Sequence, residues 1–345
     1  MSILGFVGRR PLVSLGAAAA LWWLWPGGDP APGAGRARVQ PQAAALADGF
    51  AALADGGRLA RFDHDAHRRR ELVVREAPPG ARVVGVGGGV GLVWRDGKQV
   101  AVALVDDDGR LGDRPQRFGK RVASMCGGVA SNEHQFGVAW LESDGSVWFV
   151  HGPTAARGAA AEPGDGDGGG LVAEAAGLPE GVAGESCAIA SAHDKIALLW
   201  TERGRTTLVM CGRRCGSPGR VALPKGSEVL GLGCSRGGCA IATRGEGGGA
   251  ALTWVTPKGR AQWTKPLPHA EPGTAVALAG TTAQVAIAYA TANEPVAVTA
   301  SSAGEIATVW QGAADGVPGL AHAGGRLLVA RIVDGELAGS VVRVP

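Results

Sequence analysis

Self-similarity at a pitch of about 45 residues limits what this chain can fold into more than any other feature. Residues 83–105 read VVGVGGGVGLVWRDGKQVAVALV, residues 128–150 read GVASNEHQFGVAWLESDGSVWFV, and residues 188–210 read AIASAHDKIALLWTERGRTTLVM. Each holds a short strand of small apolar residues, a polar turn, and an alternating strand that ends near Trp. A tight turn then leads into another alternating strand. Trp94, Trp140 and Trp200 are the equivalent positions. Weaker copies follow at residues 231–255, 276–299 and 319–333, with Arg244, Tyr289 and Arg331 in the Trp position. At the front, residues 51–62 read AALADGGRLARF and end at Phe62. Successive markers are 32, 46, 60, 44, 45 and 42 residues apart. A period in this range marks a radial or linear array of one supersecondary unit.

The unit is built of strands. Period-2 alternation is clear at residues 100–105, 147–150, 284–289 and 295–298. Asp96-Gly97, Asp144-Gly145 and Asp334-Gly335 supply the positive φ that tight hairpin turns require. No segment beyond the N-terminal one keeps a 3.6-residue period. The expected fold is therefore all-β, a β-propeller of about seven blades with three to four antiparallel strands each. A solenoid would use shorter and more uniform repeats, and paired sandwiches would not keep one register. The last unit ends on its third strand, residues 336–344, so a strand at residues 36–40 (RARVQ) is expected to close the ring. The 60-residue step from Trp140 to Trp200 calls for an insertion. Residues 154–182, rich in Ala, Gly and Asp, are expected to form it as a mobile surface loop.

Composition separates this fold from disorder. Gly is high at 58 residues, but 46% of the chain is apolar and only 19% charged. That is enough apolar surface to bury a core. The formal charge is +3, and Arg68, Arg69 and Arg70 form the one dense basic run, which excludes a nucleic-acid stripe.

Residues 1–27 are a separate object. Arg9 and Arg10 precede an uncharged run, residues 11–25 (PLVSLGAAAALWWLW), that stops at Pro26-Gly27-Gly28. A basic start followed by a short apolar stretch matches an export signal. The run is short for a transmembrane helix, although apolar residues 2–7 and the interfacial Trp22, Trp23 and Trp25 leave a retained anchor as the alternative. Residues 28–41 read as a Pro/Gly/Ala-rich linker holding the closing strand, and residues 42–345 as the propeller. The implied location is extracytoplasmic, in the periplasm or cell envelope, with the membrane touched only through the N-terminal segment.

Cysteine usage agrees with export. All six lie beyond residue 27, and two pairs are close: Cys211 with Cys215, and Cys234 with Cys239. An even count with local pairs in an oxidising compartment reads as disulfides. The spacings do not match zinc pairs, and no His adjoins either one. Cys234 and Cys239 flank a four-residue turn between first and second strands, where facing residues come within bonding range. Cys126 and Cys187 hold nearly equivalent inner positions of neighbouring units and could bridge adjacent blades.

The remaining candidates for chemistry each have a plainer explanation. The run GVGGGVG at residues 85–91 departs from GxGxxG and precedes no helix, so it reads as a turn between first and second strands. Asp165 and Asp167, and Asp106 to Asp108, resemble fragments of calcium loops but lack the ligand count, so solvated turns are favoured. His64 and His67 lie with Asp63 and Asp65 in DHDAHRRR, too crowded to enclose a metal. His134 and His193 fall in turns between first and second strands. No GxSxG elbow or triad order occurs. Phe62, Trp94, Trp140, Trp200 and Tyr289 read as packing between blades rather than as a carbohydrate platform. No catalytic, cofactor or metal residue is therefore expected.

Residues 208–224, LVMCGRRCGSPGRVALP, resemble the Cys-hairpin repeats of exported bacterial sialidase-like (BNR-type) propellers, in which two Cys flank the turn between outer strands. The resemblance implies a propeller fold, an extracytoplasmic location and a Cys211–Cys215 bond. It does not carry the activity. The motif SxDxGxxW is not matched, since Ser143-Asp144-Gly145-Ser146-Val147-Trp148 has the wrong spacing. Neither an arginine triad nor a Tyr/Glu nucleophile pair can be placed.

These observations lead to a monomeric, non-catalytic binding or scaffold module for a protein or glycan at the cell envelope. The alternative is a glycan-active hydrolase or lyase with its site at the channel mouth. The discriminating feature is the channel lining: several converging Asp, Glu, His or Arg side chains would favour the enzyme, and Gly, Ala and Val the binding module.

Overall fold

The computed structural model describes residues 41–86, 89–112, 115–131, 135–153, 174–177, 186–192, 195–211 and 215–344. The N-terminal segment, the closing strand expected at residues 36–40, and His134 and His193 lie outside these residues.

The described chain forms seven antiparallel meanders in sequence order. Blade 1 comprises β1 (Gln42–Leu46), β2 (Gly49–Leu53), β3 (Arg58–Phe62) and β4 (Arg68–Val73). Blade 2 follows with β5 (Arg82–Val86), β6 (Gly89–Asp96), β7 (Gln99–Val105) and β8 (Gln116–Phe118). In blade 3 the strands are β9 (Val122–Ser131), β10 (Gln135–Glu142), β11 (Val147–Pro153) and β12 (Glu174–Gly177). Blade 4 holds β13 (Ser186–Ala192), β14 (Lys195–Glu202), β15 (Arg205–Cys211) and β16 (Gly219–Val221). Blade 5 contains β17 (Glu228–Ser235), β18 (Gly238–Arg244), β19 (Ala250–Val255) and β20 (Ala261–Pro266). β21 (Val276–Gly280), β22 (Val285–Tyr289), β23 (Val296–Ala300) and β24 (Ile306–Gln311) make blade 6. Blade 7 has three described strands, β25 (Gly319–Ala323), β26 (Arg326–Val333) and β27 (Glu336–Arg343).

The first strands pack side by side around an axis, and β25 meets β1 to close the ring. The fold is thus a seven-bladed β-propeller. Its apolar interior is divided into seven wedges, one at each blade interface. Phe50, Ala52 and Phe62 of blade 1 pack with Ala323, Leu328 and Leu337 of blade 7. Trp140 and Val150 of blade 3 pack with Val93 and Val102 of blade 2. Middle strands are buried on both sides, as in β22 (VAIAY) and β23 (VAVTA), so they read as continuous apolar runs. Outermost strands face water. β4 carries Arg68, Arg69 and Arg70, and charge on an exposed edge discourages pairing with another chain.

Two features differ from the sequence expectation. Trp94, Trp140, Trp200, Arg244, Tyr289 and Arg331 lie at or near the ends of the second strands, whereas Phe62 ends the third strand of blade 1. The turn at residues 54–57 joins β2 to β3, and the true counterpart of the marker is Leu53, which ends β2. Secondly, Glu174–Gly177, inside the expected insertion, pairs with β11 as the outer strand of blade 3. The rest of that insertion lies outside the described residues.

Candidate functional site

Seven strands converging on an axis leave little room for side chains, and their sequences reflect it: QAAAL, RVVGV, VASMCGGVAS, SCAIASA, EVLGLGCS, VALAG and GLAHA. Described residues of β1, β5, β13, β17, β21 and β25 line a central cavity of about 270 Å³, most of them Ala, Gly, Val, Leu and Ile. Its described polar lining is Gln42, Arg82, Ser191 and His322. Each first strand begins at the face where the chain arrives from the preceding blade and ends at the opposite face. At that far end the channel is tight: a Cβ on Gly280 would fall 1.6 Å from the Cys234 carbonyl oxygen and 3.2 Å from that of Ser191.

The inner strands carry three ionisable side chains outside the disulfides: Arg82, Glu228 and His322. Glu228 accepts from Arg244 Nη1 at 2.9 Å. Arg82 opens β5 and donates from Nη1 to the Cys126 carbonyl of β9 at 3.0 Å. It lies deep within the ring but is wetted by the channel, and desolvation lowers its pKa below the usual arginine value. Among the described residues no carboxylate lines the cavity.

The other candidates do not line the cavity. Asp63 Oδ1 accepts from the backbone N–H of Asp65 and of His67, each at 2.9 Å, and Oδ2 lies 3.1 Å from Arg69 Nε and 3.3 Å from His67 Nδ1. Desolvation pushes this carboxyl up, but the two N–H donors and His67 outweigh it and hold it below the usual carboxylate range. Arg326 of blade 7 donates to the His64 carbonyl and to Asp65, so DHDAH clasps blade 1 to blade 7. Asp106 anchors the corresponding turn of blade 2, accepting from the N–H of Asp108 at 2.9 Å and of Arg110 at 2.8 Å. The Ser146 hydroxyl, and then its N–H, hold Asp144 below its usual range. Among the described residues no group of three or more His, Cys, Asp and Glu is placed to hold a metal ion.

Trp94, Trp140 and Trp200 are 9%, 1% and 4% exposed and sit in the wedges. Where the marker is not Trp, polar bonds do related work. Arg244 Nη2 donates to the carbonyls of Gly273 and Thr274 on the connection into blade 6. Tyr289 donates to the Pro268 carbonyl on the same connection at 3.0 Å, and Arg331 lies over the Trp310 ring at 5.4 Å. Three disulfides are present. Cys126–Cys187 ties β9 to β13 across two blades, Cys211–Cys215 closes the turn between β15 and β16, and Cys234–Cys239 crosses the β17–β18 hairpin.

No protein family and no curated protein matches this sequence. Solved structures do. The structure of U3-55K is similar over 90% of this chain and 97% of its own, at 10% identity and a TM-score of 0.54. BBS1N, in its complex with ARL6DN, is similar over 90% of this chain and 94% of its own, at 13% identity and a TM-score of 0.52. At such identities the likeness is one of fold.

The inner position of Arg82 was missed in the sequence. Nothing local marks it, but a tally of ionisable residues on the first strand of every repeat would have isolated it.

Proposed function

We propose that this chain is an exported, non-catalytic β-propeller that serves as a binding and scaffold module for a protein or glycan at the cell envelope. The observation that carries the proposal is the channel lining. Small apolar side chains dominate it, with one arginine and one histidine and no converging acid–base pair among the described residues. Hydrolysis or elimination of a glycan needs such a pair within reach of one bond. Export is supported by the three disulfides and by the apolar segment at residues 11–25. Kinship with BNR-type exported propellers is supported by the position of Cys211–Cys215, which flanks the turn between the outer strands β15 and β16.

A C-terminal alkaline phosphatase fusion to the full chain tests the compartment. Activity in intact cells is expected, together with thiols that react with maleimide only after reduction. A fusion inactive in cells, with six reactive thiols, would overturn export. Incubating the purified chain with envelope polysaccharides tests the rest: release of reducing or unsaturated ends in proportion to protein would overturn the non-catalytic reading.

A further inference from the structure

The charge in the central channel is unbalanced. Glu228 is the sole carboxylate of the inner strands, and it is held by Arg244 at 2.9 Å. Arg82 donates to a neutral acceptor, the Cys126 carbonyl, and has no carboxylate partner among the described residues. A guanidinium stays protonated at any ordinary pH, and partly burying one without a counter-charge carries a cost. A methionine or leucine at this position would meet the packing needs of β5 without that cost. The persistent cation therefore asks for an anion that the described residues do not supply.

We propose that the channel binds a small carboxylate, with Arg82 as its principal contact. The guanidinium is a planar fork of five N–H donors, and a carboxylate takes two of them in parallel. A cavity of about 270 Å³ is at the small end for ligand sites, so the ligand is of the size of one sugar acid or one short keto acid. The small Ala and Gly side chains around it leave room for a carboxylate to reach the guanidinium. Gln42 begins β1 as Arg82 begins β5, and His322 and Ser191 line the same cavity, which provides polar groups to orient the remainder of the molecule. Backbone approaches closely at both ends of the ring, at Gly280 and at Gly319, so the ligand has to be small. This inference rests on the channel being a binding site; it does not rest on export.

The test is titration of the full chain with D-glucuronate, pyruvate and acetate, with D-glucose as the neutral match, followed by calorimetry and by the thermal midpoint. Saturable binding of at least one carboxylate in the millimolar range suited to so small a ligand is expected, and none of D-glucose. In R82M that affinity should fall about ten- to a hundred-fold, the loss of a charge-assisted pair. R82M should melt at or above the parent in the absence of ligand, which separates lost binding from lost fold. R82K, which keeps the charge but not the fork, should fall in between. Equal binding of D-glucuronate and D-glucose, unchanged by R82M, would overturn the carboxylate assignment and leave the binding module standing. No saturation by any of the three carboxylates would overturn it too, leaving partner binding to the loops between strands.

Discussion

Of the three disulfides, Cys126–Cys187 should matter most to stability. It spans 61 residues and joins blade 3 to blade 4, whereas the other two close separations of 4 and 5 residues. A crosslink restricts the unfolded chain by an amount that grows with the logarithm of the loop it closes. That gives about 4 kcal/mol for the long loop and about 2 kcal/mol for each short one. Cys126 is also 1% exposed in the wedge with Ala139, Ile189 and Trp200. Truncation to Ala leaves a small void there, adding about 1 kcal/mol. C126A/C187A should therefore cost about 5 kcal/mol, a large share of the roughly 5–15 kcal/mol that holds a domain folded. The assay is equilibrium urea unfolding without reductant, read by tryptophan emission, beside C234A/C239A as the short-loop control. The denaturant slope should also steepen, because an uncrosslinked chain exposes more surface on unfolding. If C126A/C187A loses no more stability than C234A/C239A, and the slope is unchanged, the loop-entropy argument is refuted.

Tyr289 is the chain's one tyrosine, so its titration can be followed directly by absorbance. Burial pushes its hydroxyl up to about 12, so the protonated form is favoured in the fold, and stability should hold below about pH 10 and fall by about 2–3 kcal/mol as pH rises toward 12. Y289F should abolish that alkaline decline while losing about 1 kcal/mol at neutral pH with the bond to Pro268; an absorbance midpoint near 10 would contradict this. Asp63 runs the other way: its depressed carboxyl contributes stability above the ordinary value of 3.8 that is lost as pH falls through the folded pKa. Amide protection of Asp65 and His67 should therefore drop on acidification in the parent chain and show no such drop in D63N. Gly280→Ala should cost on the order of 3 kcal/mol, because backbone rather than a flexible side chain occupies the Cβ position. Gly335→Ala, with a φ of 76° but open space around it, should cost about 1 kcal/mol, and thermal unfolding that ranks the two the other way would refute the crowding argument.

The propeller was legible because one physical demand recurs. A bulky group near the end of each second strand must fill a wedge or clamp a connection, and Trp94, Trp140 and Trp200 announce it. Blade 1 falls out of the repeat register because the second of its first two strands, QAAAL and GFAAL, ends on Leu53 rather than on a bulky ring or guanidinium. The DGG turn between β2 and β3 imitates a turn between first and second strands, which puts Phe62, the end of a third strand, at the marker position of the sequence pattern. β12 was hidden for a similar reason. EAAG has neither alternation nor β-branched residues, and only its pairing with β11 makes it a strand. Arg82 is one of 34 basic residues and has no motif around it. Its place in the channel follows from the register of β5 and from closure of the ring, neither of which a local window contains.

The same crowding that erases chemistry from the inner strands gives Arg82 its meaning. A Cβ on Gly319 would lie 2.0 Å from the Pro41 carbonyl oxygen, as one on Gly280 would strike that of Cys234. Glycine is therefore required at these two positions for reasons of backbone approach. A long charged side chain in that ring is the opposite case. One bond to the Cys126 carbonyl uses a single donor of its fork, desolvation opposes it, and no described carboxylate compensates for it. In a fold whose centre is otherwise set by geometry, the residue that geometry does not explain is the one from which to argue function.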